Sequence, residues 1–434
     1  QFSVISICIA GCLVWDAING PLMGVIIENS HLKHGKFRPW IMTGALLNAV
    51  IIVILFSVRP KGWLFVLFFG IGYLLWGMTY TMNDIAFWGM LPSLSSDPQV
   101  RNTLVTLMSI FICIGQFTVA GVLPVIVAGN AVAAYRGAAF VVALCFIGFQ
   151  LLTFLGVTER PREEAKEKLS LKGMLLVFKR NDQLIPIGIA SFLFNIGSNL
   201  LIVFAVNFFY FEFGYSQGGT LIFLFTVMYG LGTLFSQAAF SIISKHFSRM
   251  HILRFCTTVI AAGYLLLLSF GYVLPKNIIL LNVIGFLIFF CQGLYNLVVV
   301  VMLNNTIEYD EYRFHERHDS VISAVRSFSV KFAGAVNQGL SALVLIVSGI
   351  YSISQKISGL EIEVGKQTLT QEDALVQANG YIAEVLPYQT LVLRLGMVLI
   401  PILILTGCYF LIKTKYKIDE AEYDRIVKEI EQRR

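Results

Sequence analysis

The chain reads as an all-α membrane protein built as two six-helix bundles, and three observations predict this. Its 434 residues are 57% hydrophobic and only 13% charged, where a soluble globular chain carries about 25% charged residues. Mean hydropathy is +0.76. Apolar runs of about 20 residues, the length a helix needs to cross the hydrocarbon core, follow one another along nearly the whole sequence. None alternates with the period of a barrel strand, so helices are left to satisfy the backbone within lipid.

Eleven spans can be marked: near 3–27, 40–57, 63–91, 103–128, 133–157, 184–211, 217–243, 251–274, 277–304, 321–350 and 388–412. The first run starts at once after Gln1, with no initiating Met and no signal peptide, which predicts a sequence truncated at its start. All seven Cys fall within spans without metal-ligand spacing, so apolar packing is their expected role and no metal site is assigned.

Basic residues set the orientation, because Lys and Arg flanking spans accumulate on the cytoplasmic side. With the loop after the first span inside, 23 of the 32 Lys and Arg fall inside, 6 fall outside, and Arg326, Lys331 and Arg394 lie within spans. The tail is then cytoplasmic. An even-numbered bundle with both ends of the complete protein in the cytoplasm requires one helix before Gln1, so the visible spans count as helices 2–12. The expected locality is the plasma membrane as a multi-pass protein, and the +6 net charge answers anionic headgroups, with no case for nucleic acid.

The longest internal cytoplasmic segment divides the spans. It predicts an N-terminal bundle over 1–157, a linker over 158–183, a C-terminal bundle over 184–414 and a tail over 415–434. The linker opens with TERPREEAKEK, a solvated tether, and continues with LSLKGMLLVFKR, whose apolar residues suit a helix lying on the membrane surface. Six plus six is the organisation of carriers whose halves rock about a central site.

Two carboxylates stand out, since an Asp at a helix centre in a bilayer costs about 2.5–3.5 kcal/mol on insertion scales and normally faces a wet cavity or a partner. Tyr80, Asp84 and Trp88 are spaced i, i+4, i+8 and advance only about 40° per step, forming one stripe. A carboxylate between two rings suits a sugar: the anion accepts hydroxyl hydrogens while the rings pack on C–H faces. Thr81 and Asn83 add polar atoms nearby. An interfacial aromatic belt around a structurally paired Asp is the plainer alternative. In the first span, Asp16, Asn19 and Gly20 share a face, and Pro21 with Gly24 loosens the backbone so that carbonyls become free. Such oxygens suit a hard cation; an Asp hydrogen-bonded to neighbouring helices is the alternative. Arg326 and Lys331 lie about 140° apart around their helix, so both cannot point at one ligand. Lys331 is the candidate for the cavity, and Arg326 can meet an acid or an anionic substrate group; simple charge balance would also account for either.

The blocks WDAINGPLMG, GKFRPW, WGMTYTMNDIAFW, IEYDEY and the VK of SFSVKFAGA follow in order from the first span toward the tail. Together they resemble the glycoside–pentoside–hexuronide:cation symporter family, the branch of the major facilitator superfamily that contains the melibiose permease. The resemblance implies the major facilitator fold, twelve helices in two bundles, and alternating access to a central cavity. It implies that Asp84 is the main sugar acceptor, with Tyr80, Thr81 and Trp88 as neighbours and Lys331 as the cavity lysine. Asp16 and Asn19 match cation-site positions, with Thr81 close by. Glu308, Asp310, Arg313 and Arg317 would form cytoplasmic gating ion pairs.

Departures matter as much. Where the melibiose permease pattern has a second Asp, this chain has Gly20, which brings no anionic oxygen. Ser109 stands where that pattern has a sugar-binding Arg, Asn296 aligns with a cavity Trp, and Arg326 sits in place of a neutral amide. The outer loop of 351–387 is longer than that permease needs. The expected function is therefore symport of a small glycoside or sugar, which Arg326 permits to be a uronide, with a monovalent cation. Gly20 favours H+ over Na+, and no cofactor beyond that cation is expected. A lysolipid or other amphiphile carrier, or an uncoupled sugar facilitator, is the alternative. A monomer is expected. An enzyme is not, since the six His lie in or beside loops and make no catalytic cluster, and a membrane sensor would need an appended output domain.

Overall fold

The structure, a computed structural model, describes residues 2–28, 35–94, 131–159, 178–315, 319–365 and 368–433, with scattered positions between them. These fall into two compact units, Gln1–Val177 and Phe178–Arg434. Among the described residues no strand occurs; one isolated bridge, Phe270 with Leu274, closes a turn. Nine described helices are long and apolar enough to cross a membrane. The expected span over 103–128 lies mostly outside the described residues, as do most of the linker and its expected surface helix.

Unit 1 contains α1 (Phe2–Glu28), α2 (Arg38–Ser57), α3 (Trp63–Leu94) and α4 (Ala131–Gly156). Helix α3 packs on α1 and α2, and α4 packs on α2. At one end Met23, Ile27, Phe37, Ile41, Ala86 and Met90 close a small core. The entry to α2 is fixed from afar: the Glu159 carboxylate, just beyond α4, accepts the backbone N–H groups of Lys36, Phe37 and Arg38 at 2.7–3.2 Å. Those amides are the unpaired donors of a helix start, where a negative charge is favoured. Elsewhere α4 leaves Phe140, Val141, Leu144, Phe149, Leu152 and Leu155 uncovered. In water that surface would invite aggregation; against hydrocarbon it is the expected one.

Unit 2 contains α5 (Leu184–Phe213), α6 (Tyr215–His246), α7 (Arg249–Ser269), α8 (Ile278–Phe314), α9 (Asp319–Val347), α10 (Tyr351–Gly365), α11 (Gln371–Ala383), α12 (Pro387–Lys415) and α13 (Glu420–Arg433). Helix α5 is central, touching α6, α8, α9 and α12, and α8 also packs on α6 and α7. Aromatic rings fill the middle: Phe209, Phe225, Phe289 and Tyr229 meet edge to face at 5.0–5.3 Å. Gly232 lets α6 reach the backbone of α8, since a Cβ there would stand 2.9 Å from the Phe290 nitrogen.

Two segments differ from expectation. Residues 307–314, which fall between the expected spans 277–304 and 321–350, continue α8 without interruption to a left-handed cap at His315, φ 59°. The long outer loop is a helical hairpin, α10 and α11, closed by its own apolar contacts of Ile353, Ile357, Leu360 and Ala378. It is tied to the α5–α6 turn by Asn379, whose amide oxygen accepts the Tyr215 N–H at 3.0 Å.

Candidate functional site

In unit 1 the packing of α3 on α1 brings together two residues 65 apart in sequence. The Thr81 hydroxyl donates to Oδ1 of Asp16. Thr81 is fully buried and Asp16 half-buried. One turn earlier on α3, Gly77 presents no side chain: a Cβ there would lie 3.8 Å from the same carboxylate oxygen. Asn19 is buried one turn along α1, and its amide nitrogen has no hydrogen-bond partner among the described residues. Pro21 follows inside the same helix and removes the N–H that would have bonded the carbonyl of Ala17. Carboxylate, hydroxyl, amide and a freed carbonyl thus lie within a turn or so of one another.

The stripe on α3 takes the expected form. Tyr80 and Trp88 are 45% and 41% exposed within the chain and Asp84 is half-buried, while Thr79, Asn83, Ala86 and Met90 on the other side of the helix are buried. Asp84 therefore stands on the side of α3 that unit 1 leaves open. A ladder of rings leads along the helix to it: Phe65, Phe69, Tyr73, Trp76 and Tyr80 succeed one another at 5.5–6.3 Å. The i, i+4 and i, i+3 spacing of those residues was a legible signal for the ladder. One expectation is corrected. Asn83 does not add a polar atom beside Asp84, because its Nδ2 donates to the Ile41 carbonyl of α2 at 2.8 Å.

In unit 2, α9 carries Arg326, exposed, and Lys331, half-buried. Phe332 beside Lys331 stacks on Phe328 and on Phe192 of α5 at 5.3 and 5.4 Å. A polar stripe on α5 went unnoticed in the sequence: Ser191, Asn195 and Asn199 are spaced by four, with Asn195 and Asn199 donating to carbonyls of their own helix. Asn337 of α9 reaches the Asn195 carbonyl at 3.5 Å. Asn296 is exposed on α8, and Ser109 lies outside the described residues.

The expected gating residues find partners that sequence did not supply. Asp310, fully buried, pairs with Arg180 at 3.4 Å. Arg313 pairs with Asp182 at 2.5 Å, and Tyr309 donates to the same carboxylate at 2.9 Å. Burial works against the charge on Asp182, but hydrogen bonds from Gln183 and Tyr309 and the Arg313 charge outweigh it and hold the carboxyl below the usual aspartate value. Glu308 lies on the same helical end, and Arg317 lies outside the described residues. Helix α13 docks there too: Ile418, Ile426 and Ile430 pack on Tyr309, Tyr312, Tyr416 and Tyr423. Glu420 accepts the Arg249 N–H at 2.6 Å, and Arg433 donates to the Tyr312 carbonyl at 3.0 Å. At the opposite end of unit 2, Glu212 pairs with Lys276 at 2.8 Å and with the buried Arg394, whose guanidinium also donates to the Phe270 carbonyl and lies 4.6 Å from the centre of the Tyr272 ring.

Long apolar helices in two units define a polytopic membrane protein. The sequence model of the family described as MFS/sugar transport protein matches residues 1–420, and the chain belongs to that family of membrane transporters. The resemblance to glycoside–pentoside–hexuronide symporters is thereby borne out. Among relatives, the raffinose carrier protein of Pediococcus pentosaceus is 26% identical over 364 residues, covering 80% of this chain and 56% of its own. The lactose permease of Lactobacillus delbrueckii subsp. bulgaricus is 26% identical, covering 80% and 57%. The isoprimeverose transporter of Lactiplantibacillus pentosus is 24% identical, covering 80% and 74%. The chain spans little more than half the length of the first two. Of solved structures, a nucleoside transporter superposes with a TM-score of 0.57 at 13% identity over 94% of this chain and 90% of its own. A D-xylose-proton symporter does so at 0.53 and 15% identity, over 89% and 88%. These likenesses establish the major facilitator fold.

Proposed function

We propose that this protein carries a small sugar or glycoside across the plasma membrane by alternating access, in symport with a monovalent cation. One observation carries the reading: Thr81, which donates to Asp16, and Asp84, which stands on the open side of unit 1, are three residues apart on one helix. A cation held by Asp16, Thr81 and the oxygens around Asn19 and a sugar held by Asp84 would each bias the position of α3, which is the physical content of coupling. Tyr80 and Trp88 would stack on the sugar; of the two basic residues of α9, which face about 140° apart, Lys331 is assigned to sugar recognition and Arg326 to an acid or an anionic substrate group. That the relatives are named for raffinose, lactose and isoprimeverose supports a glycoside. The basic end of unit 2, with Arg180, Arg249, Arg313 and the tail, is assigned to the cytoplasm, where Glu308, Asp310, Arg313 and Arg317 would gate.

Protons are favoured over sodium because Gly20 supplies no second carboxylate. One charge moving through 100 mV releases about 2.3 kcal/mol, enough to concentrate a neutral sugar roughly 50-fold. Uptake into membrane vesicles under imposed pH or sodium gradients tests the reading. Stimulation by an inward proton gradient is the expected result; stimulation by sodium alone refutes the proton preference. Asp84→Ala should abolish sugar binding in protein that still reaches the membrane, and competition by lysolipid instead of sugars would favour an amphiphile carrier.

A further inference from the structure

We infer that Asn48 and Asn83, with Gly44 between their contacts, are positioning residues that fix the rotation of α3 about its own axis and so aim Thr81 and Asp84. The inference rests on the proposed roles of those two residues. Its basis is the seam between α2 and α3. At Gly44 the backbones touch: a Cβ there would stand 2.8 Å from the Asn83 nitrogen and 3.1 Å from the Thr79 carbonyl oxygen. On one side of this contact, Asn48 Nδ2 donates to the Trp76 carbonyl at 2.9 Å and to the Thr79 hydroxyl at 3.1 Å. On the other, Asn83 Nδ2 donates to the Ile41 carbonyl at 2.8 Å, and Gln150 of α4 reaches the Asn83 amide oxygen at 3.5 Å. Asn48 and Asn83 are each 5% exposed.

Ile41 and Asn48 are seven residues apart, about 10 Å along α2. A backbone contact flanked at that separation by hydrogen bonds on either side resists both sliding and twisting of the partner helix. Two of the acceptors are main-chain carbonyls, so each of those bonds ties a buried side chain of one helix to the backbone of the other. Interhelical hydrogen bonds in membranes add little to stability on average, which leaves orientation as what these buried amides supply over alanine. Orientation matters here because Thr79 and Asn83 form the held stripe, while Asp84 lies about 100° from Asn83 around the helix and Thr81 about 160°. A twist of 20° in a helix 10–12 Å across sweeps side-chain ends by about 2 Å, more than a hydrogen bond tolerates.

The test uses the full chain in liposomes with Asn83→Leu, Asn48→Leu and Gly44→Ala. A rotational role is expected to raise the half-saturating concentrations of sugar and of driving cation together, each tenfold or more, with Asn83→Leu keeping near-normal abundance and heat stability. A ligand-free readout runs beside it. Tyr80→Cys is alkylated with a polar maleimide in each background, with Trp63→Cys at the start of α3 as control. The rate at position 80 is expected to change at least threefold while that at position 63 does not. Variants that lose only abundance or heat stability, with both constants and the labelling rate within twofold of the parent, overturn the inference. If the parent shows no Asp84-dependent sugar uptake, the proposed function fails instead, and the labelling comparison still decides the role of the seam.

Discussion

At the scale of single residues the contrast between Asp16 and Asp84 is the instructive one. Both are carboxylates in membrane-length helices, yet Asp16 is met by a buried hydroxyl of the neighbouring helix and Asp84 stands on the open side of unit 1 with rings along its stripe. Spacing alone showed the stripe, because residues four apart must share a face. The Thr81–Asp16 bond could not be read that way, since it depends on how α1 and α3 pack. Removing the charge of Asp16 while keeping its shape separates the two roles. Asp16→Asn is expected to abolish uptake driven by a cation gradient while leaving exchange of labelled for unlabelled sugar, measured in vesicles at equal cation concentrations, within a few fold of the parent. Loss of exchange as well would place Asp16 in the sugar site.

At the scale of elements, charged pairs differ in what they contribute according to burial. Arg394 is 2% exposed and bridges Glu212 at the end of α5 to the turn between α7 and α8. Glu212→Gln leaves that guanidinium and Lys276 without their carboxylate, and breaking a buried pair in this way costs about 3–5 kcal/mol. The purified variant is expected to lose heat stability markedly. Asp182 and Arg313 are each about half exposed, so Asp182→Asn should cost no more than about 1 kcal/mol. Because the Asp182 carboxyl titrates below its usual value, its contribution is fully present above the ordinary aspartate pKa and is lost only as pH falls through the lowered folded value. Melting of the parent and of Asp182→Asn should therefore differ by the same amount at pH 5 and pH 8. The tail shows why some elements escaped notice. Tyr423, Ile426 and Ile430 carry a helical apolar period, but a 14-residue helix is marginal alone and is held by what it docks on. Ile426→Asp should undock it, so that limited trypsin cleaves at Arg425 and Lys428 before any span is cut; parental resistance would show that other contacts hold it.

At the scale of the whole molecule, the class was legible because hydropathy is a property of composition and length, and a bilayer leaves the backbone few choices. The extension of α8 through IEYDEY was not, because its charges resemble a loop until Arg180 and the tail are there to meet them. Residues 180–183 belong by their bonds to unit 2: Arg180 to Asp310, Asn181 to the Thr306 carbonyl, Gln183 to the Lys417 N–H. Glu159 belongs to unit 1 through α2. Each end of the linker is thus anchored within its own unit, and each unit has its own apolar core, the condition for folding as a separate body. Cutting the chain between 168 and 169 and producing the two pieces together should therefore yield both in the membrane and restore a substantial share of sugar uptake, while either piece alone accumulates without transport. Degradation of both pieces when produced together, with the uncut chain stable, would show that the covalent linker is needed for folding and that the units are not independent.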